Sequence, residues 1–224
     1  MPEVLEQLAA PSPVDEALDL DSEETGSEEA RLVVRFPSSL QMDEEQLYEF
    51  CAINTELRIE RNATGEIIIM SPENIASGAA NSELNLQFAL WAKKEGSGRV
   101  FGSSAGFTLA NTAMRAPDVA WVRKDRLRKL PKREWERFAH ICPDFVLELR
   151  SKSDSLPALK AKMVEYVENG AQLGWLLDPP TRTVYIYRPG KPVEELCDPA
   201  QLSGEAVLPG FVLDVREVWK AMEF

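Results

Sequence analysis

The sequence holds a single histidine and three cysteines. Any Ser–His–Asp relay would therefore have to use His140. Cys51, Cys142 and Cys197 stand singly and odd in number, which fits no zinc spacing and suggests buried thiols in a reducing cytoplasm. No apolar run approaches the roughly 20 residues needed to span a bilayer. The opening MPEVLEQLAAPSPVDE lacks both the basic start and the apolar stretch of a secretory signal. A cytoplasmic protein without membrane contact is expected.

Basic residues are absent from the first 30 positions, which hold 10 Asp and Glu. The formal net charge of −12 is mostly this tail: residues 31–224 carry 27 acidic against 25 basic residues. An acidic stretch poor in large apolar side chains reads as disordered, either a solvated appendage or a regulatory one. The remaining 31–224 is long enough for one well-cored domain. With the tail set aside, the charge balance no longer argues against nucleic acid.

Within that domain, RLVVRF suggests a short strand, and Asp43 with Gln46 resembles a capping box opening a helix through about Ala52. ELRIERNATGEIIIMSP reads as a hairpin turning at Asn62 to Gly65. A helix over about 78–94 follows, with Leu84, Phe88 and Trp91 on one face. GRVFGSSAGFTLA and APDVAWVRK read as two strands joined near Asn111, then comes a basic segment over 123–140 and a strand over 144–150. Pro157 suits the start of a helix running to Asn169, with Gly170 as its stop. GWLLDPPTRTVYIYRP is a last clear hairpin, before a short strand and a terminal helix. The sum is an α/β chain bordering on α+β, a central mixed sheet with helices.

Gly102-Ser103-Ser104-Ala105-Gly106 fits the G-x-S-x-G nucleophile pattern. That elbow needs a strand-to-helix turn, whereas GFTLA continues as strand, so a serine hydrolase is disfavoured and His140 is expected to be a structural or surface residue. A second constellation is Asp118 with Glu148. In CPDFVLELRSKSD, Glu148 interrupts the apolar run Phe145, Val146, Leu147, Leu149. Burying a lone carboxylate is costly. If the strands of Asp118 and Glu148 pair, the two carboxylates meet on one face and need a cation between them. Few hard oxygen ligands suit Mg2+ or Mn2+. An edge ion pair of Glu148 with Arg150, or with an arginine of a neighbouring strand, is the plainer alternative.

APDVAWV, CPDFVLELRSKSDSL, LKAKMVEYVENGAQLGWLLDP, VYIYRPGK and VLPGFVLDV together resemble a bacterial restriction-endonuclease family often labelled Uma, within the PD-(D/E)XK nuclease superfamily. The likeness runs from about residue 36 to the C-terminus. It implies a restriction-endonuclease-like core and a Mg2+ site, Mn2+ being a substitute, at Asp118 and Glu148. The activity it implies is a metal-dependent endonuclease on DNA. A homodimer would let it cut both strands. Arg150 stands where the superfamily pattern has lysine, and arginine cannot act as a base. It can still bind phosphate.

The family's Lys-x-x-x-Tyr on the following helix matches Lys162 and Tyr166. Independently, Leu159, Lys162, Met163 and Tyr166 fall on one helical stripe, where Lys162 either reaches the site or snorkels past its neighbours to solvent. Burial is expected to lower its pKa. Glu83 is a candidate third ligand. Residues 123–137 carry eight Lys and Arg against three acids, so Arg126, Arg128, Lys129 and Lys132 are candidate phosphate contacts. The competing reading is a catalytically inactive nucleic-acid- or protein-binding module on the same fold, which the arginine at 150 keeps open.

Overall fold

The computed structural model describes residues 31–152 and 154–223. The acidic stretch 1–30 lies outside them. Strand β1 (Arg31–Val34) precedes helix α1 (Glu44–Ile53). The Asp43–Gln46 capping box that opens α1 is formed in both directions, Gln46 N donating to Asp43 Oδ1 at 2.8 Å and Asp43 N to Gln46 Oε1 at 3.0 Å. Strands β2 (Arg58–Arg61) and β3 (Ile67–Met70) make the hairpin. Helix α2 (Ile75–Glu95) is capped by Asn74, which accepts from Ser77 N at 2.9 Å.

The next stretch departs from the two-strand expectation. It forms β4 (Gly98–Gly102), β5 (Phe107–Thr108), β6 (Met114–Arg115) and β7 (Val119–Arg123). Gly102 to Gly106 turns the chain from one sheet into another, a strand-to-strand corner rather than a nucleophile elbow. The basic segment holds a short helix α3 (Lys124–Leu127) and leads to β8 (Ala139–His140) and β9 (Phe145–Leu149). Helix α4 (Leu156–Glu168) has Pro157 in its first turn and ends before Gly170. Strands β10 (Leu173–Asp178), β11 (Thr183–Tyr187), β12 (Glu194–Cys197), β13 (Gln201–Ser203) and β14 (Val212–Asp214) precede the closing helix α5 (Val215–Lys220).

Two six-stranded sheets result, ordered β1-β3-β2-β6-β5-β8 and β12-β11-β10-β9-β7-β4, with β13 and β14 as a separate pair. The second sheet is mixed: β9 and β10 are parallel, the other pairs antiparallel. Leu84 and Phe88 of α2 and Val218 of α5 pack on one of its faces, against Trp121, Phe145 and Trp175. Truncating a buried aromatic such as Phe88 would cost about 3–5 kcal/mol. Leu159, Met163 and Tyr166 of α4 pack on the other face against Val146, Leu176 and Tyr185. Gly174 lets α4 come close, since a Cβ there would lie 2.6 Å from Met163 Cε. No described helix is long and apolar enough to cross a membrane.

Candidate active site

The central carboxylates are set by strand pairing. Strands β7 and β9 run antiparallel with Val119 facing Leu147 and Ala120 facing Val146, a register that continues to Asp118 opposite Glu148. Directly opposed residues have Cβ atoms about 4.5–5.5 Å apart. Both residues are buried, Asp118 at 6% and Glu148 at 5% exposure. Burial, then repulsion from Glu148, pushes the Asp118 carboxyl up to about 7. Burial also raises Glu148, despite the opposing pull of Lys162. Leu149 N donates to Asp118 Oδ2 at 2.9 Å, and Arg58 Nη2 stands 3.5 Å from Asp118 Oδ1.

Lys162 turns inward from α4. Its Nζ lies 2.8 Å from Glu148 Oε1 and 2.8 Å from Glu60 Oε1 on β2, with the side chain buried between the two sheets' acids and touching the cleft. The hydroxyl of Tyr166, one turn along, donates to Glu148 Oε1 at 3.0 Å. Its phenol pKa is raised well above the ordinary value, by burial and then by Glu148, so it stays a donor. The lysine pKa moves opposite to the expectation from burial. Desolvation does favour the neutral amine, but Glu148 and Glu60 outweigh it and the net shift is upward. Lys162 is a held ammonium.

Glu60 is the site residue the sequence reading missed. Burial alone would raise it, yet Lys162 and Arg115 hold it at about 2. Arg115 Nη1 lies 3.1 Å from Glu60 Oε2, and Ala116 N donates to Oε1 at 3.0 Å. Arg115 Nε in turn pairs with Glu165 on α4 at 2.6 Å. The signal was the one that singled out Glu148, a carboxylate inside a short β-rich run. Nothing in the sequence joined it to Lys162, 102 residues on.

The carboxylates open into a cleft of about 200 Å³ that is also lined by Asn74, the cap of α2, and by Ser77 and Asn81 of α2. Asn81 Nδ2 donates to Glu73 Oε2 at 2.7 Å, while its Oδ1 is buried and has no partner among the described residues. Glu83 does not join this group; its carboxylate accepts from Gln87 at 2.8 Å and is not among the cleft's lining residues. Arg150 also leaves the cleft, donating to Asp178 Oδ1 at 2.9 Å and to the Asp154 carbonyl at 3.0 Å. The Glu148–Arg150 edge pair is therefore not formed.

Arg126, Arg128, Lys129 and Lys132 lie beyond the other end of β7, five residues or about 17 Å along the strand from Asp118. Arg126 is paired with Asp144 at 2.9 Å. Arg128, Lys129 and Lys132 make no ion pair among the described residues. His140 bridges two acids, Nδ1 to Glu134 at 2.8 Å and Nε2 to Glu44 at 2.7 Å, a structural tie between β8 and α1.

Could these groups hold a divalent ion? Among the described residues, no cluster of three or more His, Cys, Asp and Glu side chains is arranged to hold one. Two adjacent carboxylates and the orphaned Asn81 oxygen nonetheless fit a hard cation that keeps most of its coordination for water and phosphate.

Residues 44–216 match the Uma2 family, described as putative restriction endonucleases. The chain belongs to the Uma2 family. That span contains Asp118, Glu148, Lys162 and Glu60. The fold is similar to the crystal structure of a putative nuclease belonging to DUF820 from Anabaena variabilis ATCC 29413. The likeness has a TM-score of 0.64 at 21% identity and covers 73% of this chain and 90% of that one. No curated protein matches the sequence. The Uma2 family is one of putative restriction endonucleases, and a mixed sheet flanked by helices is the fold.

Proposed function

We propose that this Uma2 protein is a metal-dependent endonuclease that hydrolyses phosphodiester bonds of DNA. Asp118 and Glu148 would hold Mg2+, with Mn2+ able to replace it. The observation that carries the reading is the buried carboxylate pair on adjacent strands with the Lys162 ammonium 2.8 Å from Glu148. A bound divalent ion would supply Lewis acidity and a water of lowered pKa.

The chain's own groups account for the rest. Tyr166 and Lys162 fix one Glu148 oxygen, leaving Oε2 with no partner among the described residues. Lys162 Nζ keeps its proton between Glu60 and Glu148, so it acts on developing phosphoryl charge as an electrostatic group rather than a base. Glu60 and Arg115 hold it there. Arg150, spent on Asp178, serves the fold; the general charge that the superfamily's strand lysine supplies comes here from α4. Two chains acting together would cut both strands of a duplex.

The basic segment is the proposed outer contact with the phosphate backbone. Replacing Arg126, Arg128, Lys129 and Lys132 with Gln should weaken duplex binding and reduce the slope of log affinity against log salt by about 3, one unit for each unpaired cation. An unchanged slope would remove this segment from the interface.

Cleavage of plasmid DNA and of single-stranded oligonucleotides, titrated with Mg2+ and Mn2+, tests the reading as a whole. The expected result is cleavage that EDTA abolishes and that Glu148→Gln lacks. Binding without cleavage at any metal concentration would favour the inactive-module alternative, and cleavage indifferent to EDTA would exclude the metal site.

A further inference from the structure

Arg58 opens β2 and lines the cleft. Its Nη1 pairs with Glu73, on the loop before α2, and its Nη2 stands 3.5 Å from Asp118 Oδ1. Charge-assisted bonds usually run about 2.7–2.9 Å. The guanidinium is thus anchored on Glu73 and serves Asp118 mainly through its field. Glu73 is itself fixed to α2, since its second oxygen accepts from Asn81. Arg58 Nε is buried without a partner, yet the side chain as a whole keeps 32% exposure. Such a group can shift toward solvent without opening the core.

The two carboxylates are not equally compensated. Glu148 has Lys162 and Tyr166 on one oxygen. Asp118 has, as direct partners among the described residues, only the Leu149 amide and the distant Arg58, with Lys162 reaching it through its field alone. A dication entering beside Asp118 would meet the guanidinium within a few ångströms, and like charges at that range repel strongly at low dielectric.

We propose that Arg58 is a tethered counter-ion of Asp118 which a divalent cation displaces, and that the displaced guanidinium then binds the phosphodiester. This rests on the reading of Asp118 and Glu148 as the metal ligands. Glu73 sets the balance, because it holds the guanidinium back from Asp118. Once displaced, Nε and Nη2 form the planar fork that matches two phosphate oxygens. Arg58 is a positioning residue toward the metal and a binding residue toward the substrate.

The test is calorimetric titration of Mn2+ into the wild type, Arg58→Gln, Arg58→Lys and Glu73→Gln without DNA, followed by duplex oligonucleotide binding in Ca2+. Arg58→Gln should bind Mn2+ about tenfold more tightly and DNA about tenfold more weakly. Arg58→Lys should return Mn2+ affinity to near the wild-type value while DNA binding stays weak, since the charge is restored and the fork is not. Glu73→Gln frees the guanidinium to close on Asp118 and should weaken Mn2+ binding. An arginine with a structural role alone would move both affinities in the same direction. Wild-type protein that binds no Mn2+ overturns the metal site and the counter-ion together. Mn2+ binding that is equal in the wild type, Arg58→Gln and Glu73→Gln overturns the counter-ion alone. If Arg58→Gln does not fold, Glu73→Gln decides, and unchanged or tighter Mn2+ binding there contradicts the proposal.

Discussion

Replacing Lys162 with alanine is expected to lower turnover by a factor on the order of 100 or more, the scale of a positioned electrostatic or proton-transfer group. The ammonium is the cation that directly contacts Glu148, and the neighbouring cations are engaged elsewhere: Arg115 by Glu60 and Glu165, Arg150 by Asp178, and Arg58 by Glu73. The same change should destabilise the fold by about 3–5 kcal/mol, because it leaves Glu148 buried with only the Tyr166 hydroxyl and takes from Glu60 one of its two cationic partners. Lys162→Ala is therefore assayed well below its own melting temperature, with Lys160→Ala beside it. Lys160 lies on the flank of α4, its Nζ 3.8 Å from the centre of the Tyr185 ring, outside the cleft. Its loss should cost about 0.5–1 kcal/mol and leave turnover nearly unchanged. Equal turnover in the two folded variants would mean that Lys162 only braces the sheets.

Asp118→Asn should abolish divalent-ion binding and yet make the metal-free protein more stable at pH 8. The sign follows from the direction of the shift. A carboxyl raised to about 7 in the folded state binds its proton more tightly than in the unfolded chain. Its contribution to stability is thus full below about pH 4 and is lost as pH rises through about 7. The shift corresponds to about 4 kcal/mol at most, and ~2–4 kcal/mol is the expected range. Asparagine carries no charge there, and its side-chain oxygen can still accept from the Leu149 amide that now bonds Asp118. Urea denaturation at pH 5 and pH 8, without metal, should show the wild type losing more stability than Asp118→Asn between the two. Parallel losses would mean that Asp118 is not the strained member of the pair.

Much of the frame was legible because its signals are local. The Asp43–Gln46 box, the turn at Asn62 to Gly65 and the stripe of Leu159, Lys162, Met163 and Tyr166 each need only a few neighbouring residues to be read. Glu148 stood out because a charge inside an apolar strand has no local explanation. What depends on distant partners was not legible. Glu60 acquires its meaning only when β2 is brought against α4, and Arg150 finds Asp178 beside it at the matching end of the parallel strand β10. The direction of the Lys162 shift follows from having two acids rather than one around the ammonium, which periodicity alone does not count. Helical spacing likewise put Glu83 on α2 but could not say that Asn81, two residues earlier, is the one that lines the cleft. The split of the 98–123 region between two sheets was hidden because Gly102 to Gly106 reads equally well as a bend within a strand and as a corner.

The most direct measurement of the central claim is an anomalous-scattering map of crystals grown with Mn2+. The account predicts a peak between Asp118 and Glu148, with a carboxylate oxygen from each about 2.1 Å away, and loss of that peak in Glu148→Gln crystals. A wild-type map with no peak there at millimolar Mn2+, or with its peak on other residues, would contradict it.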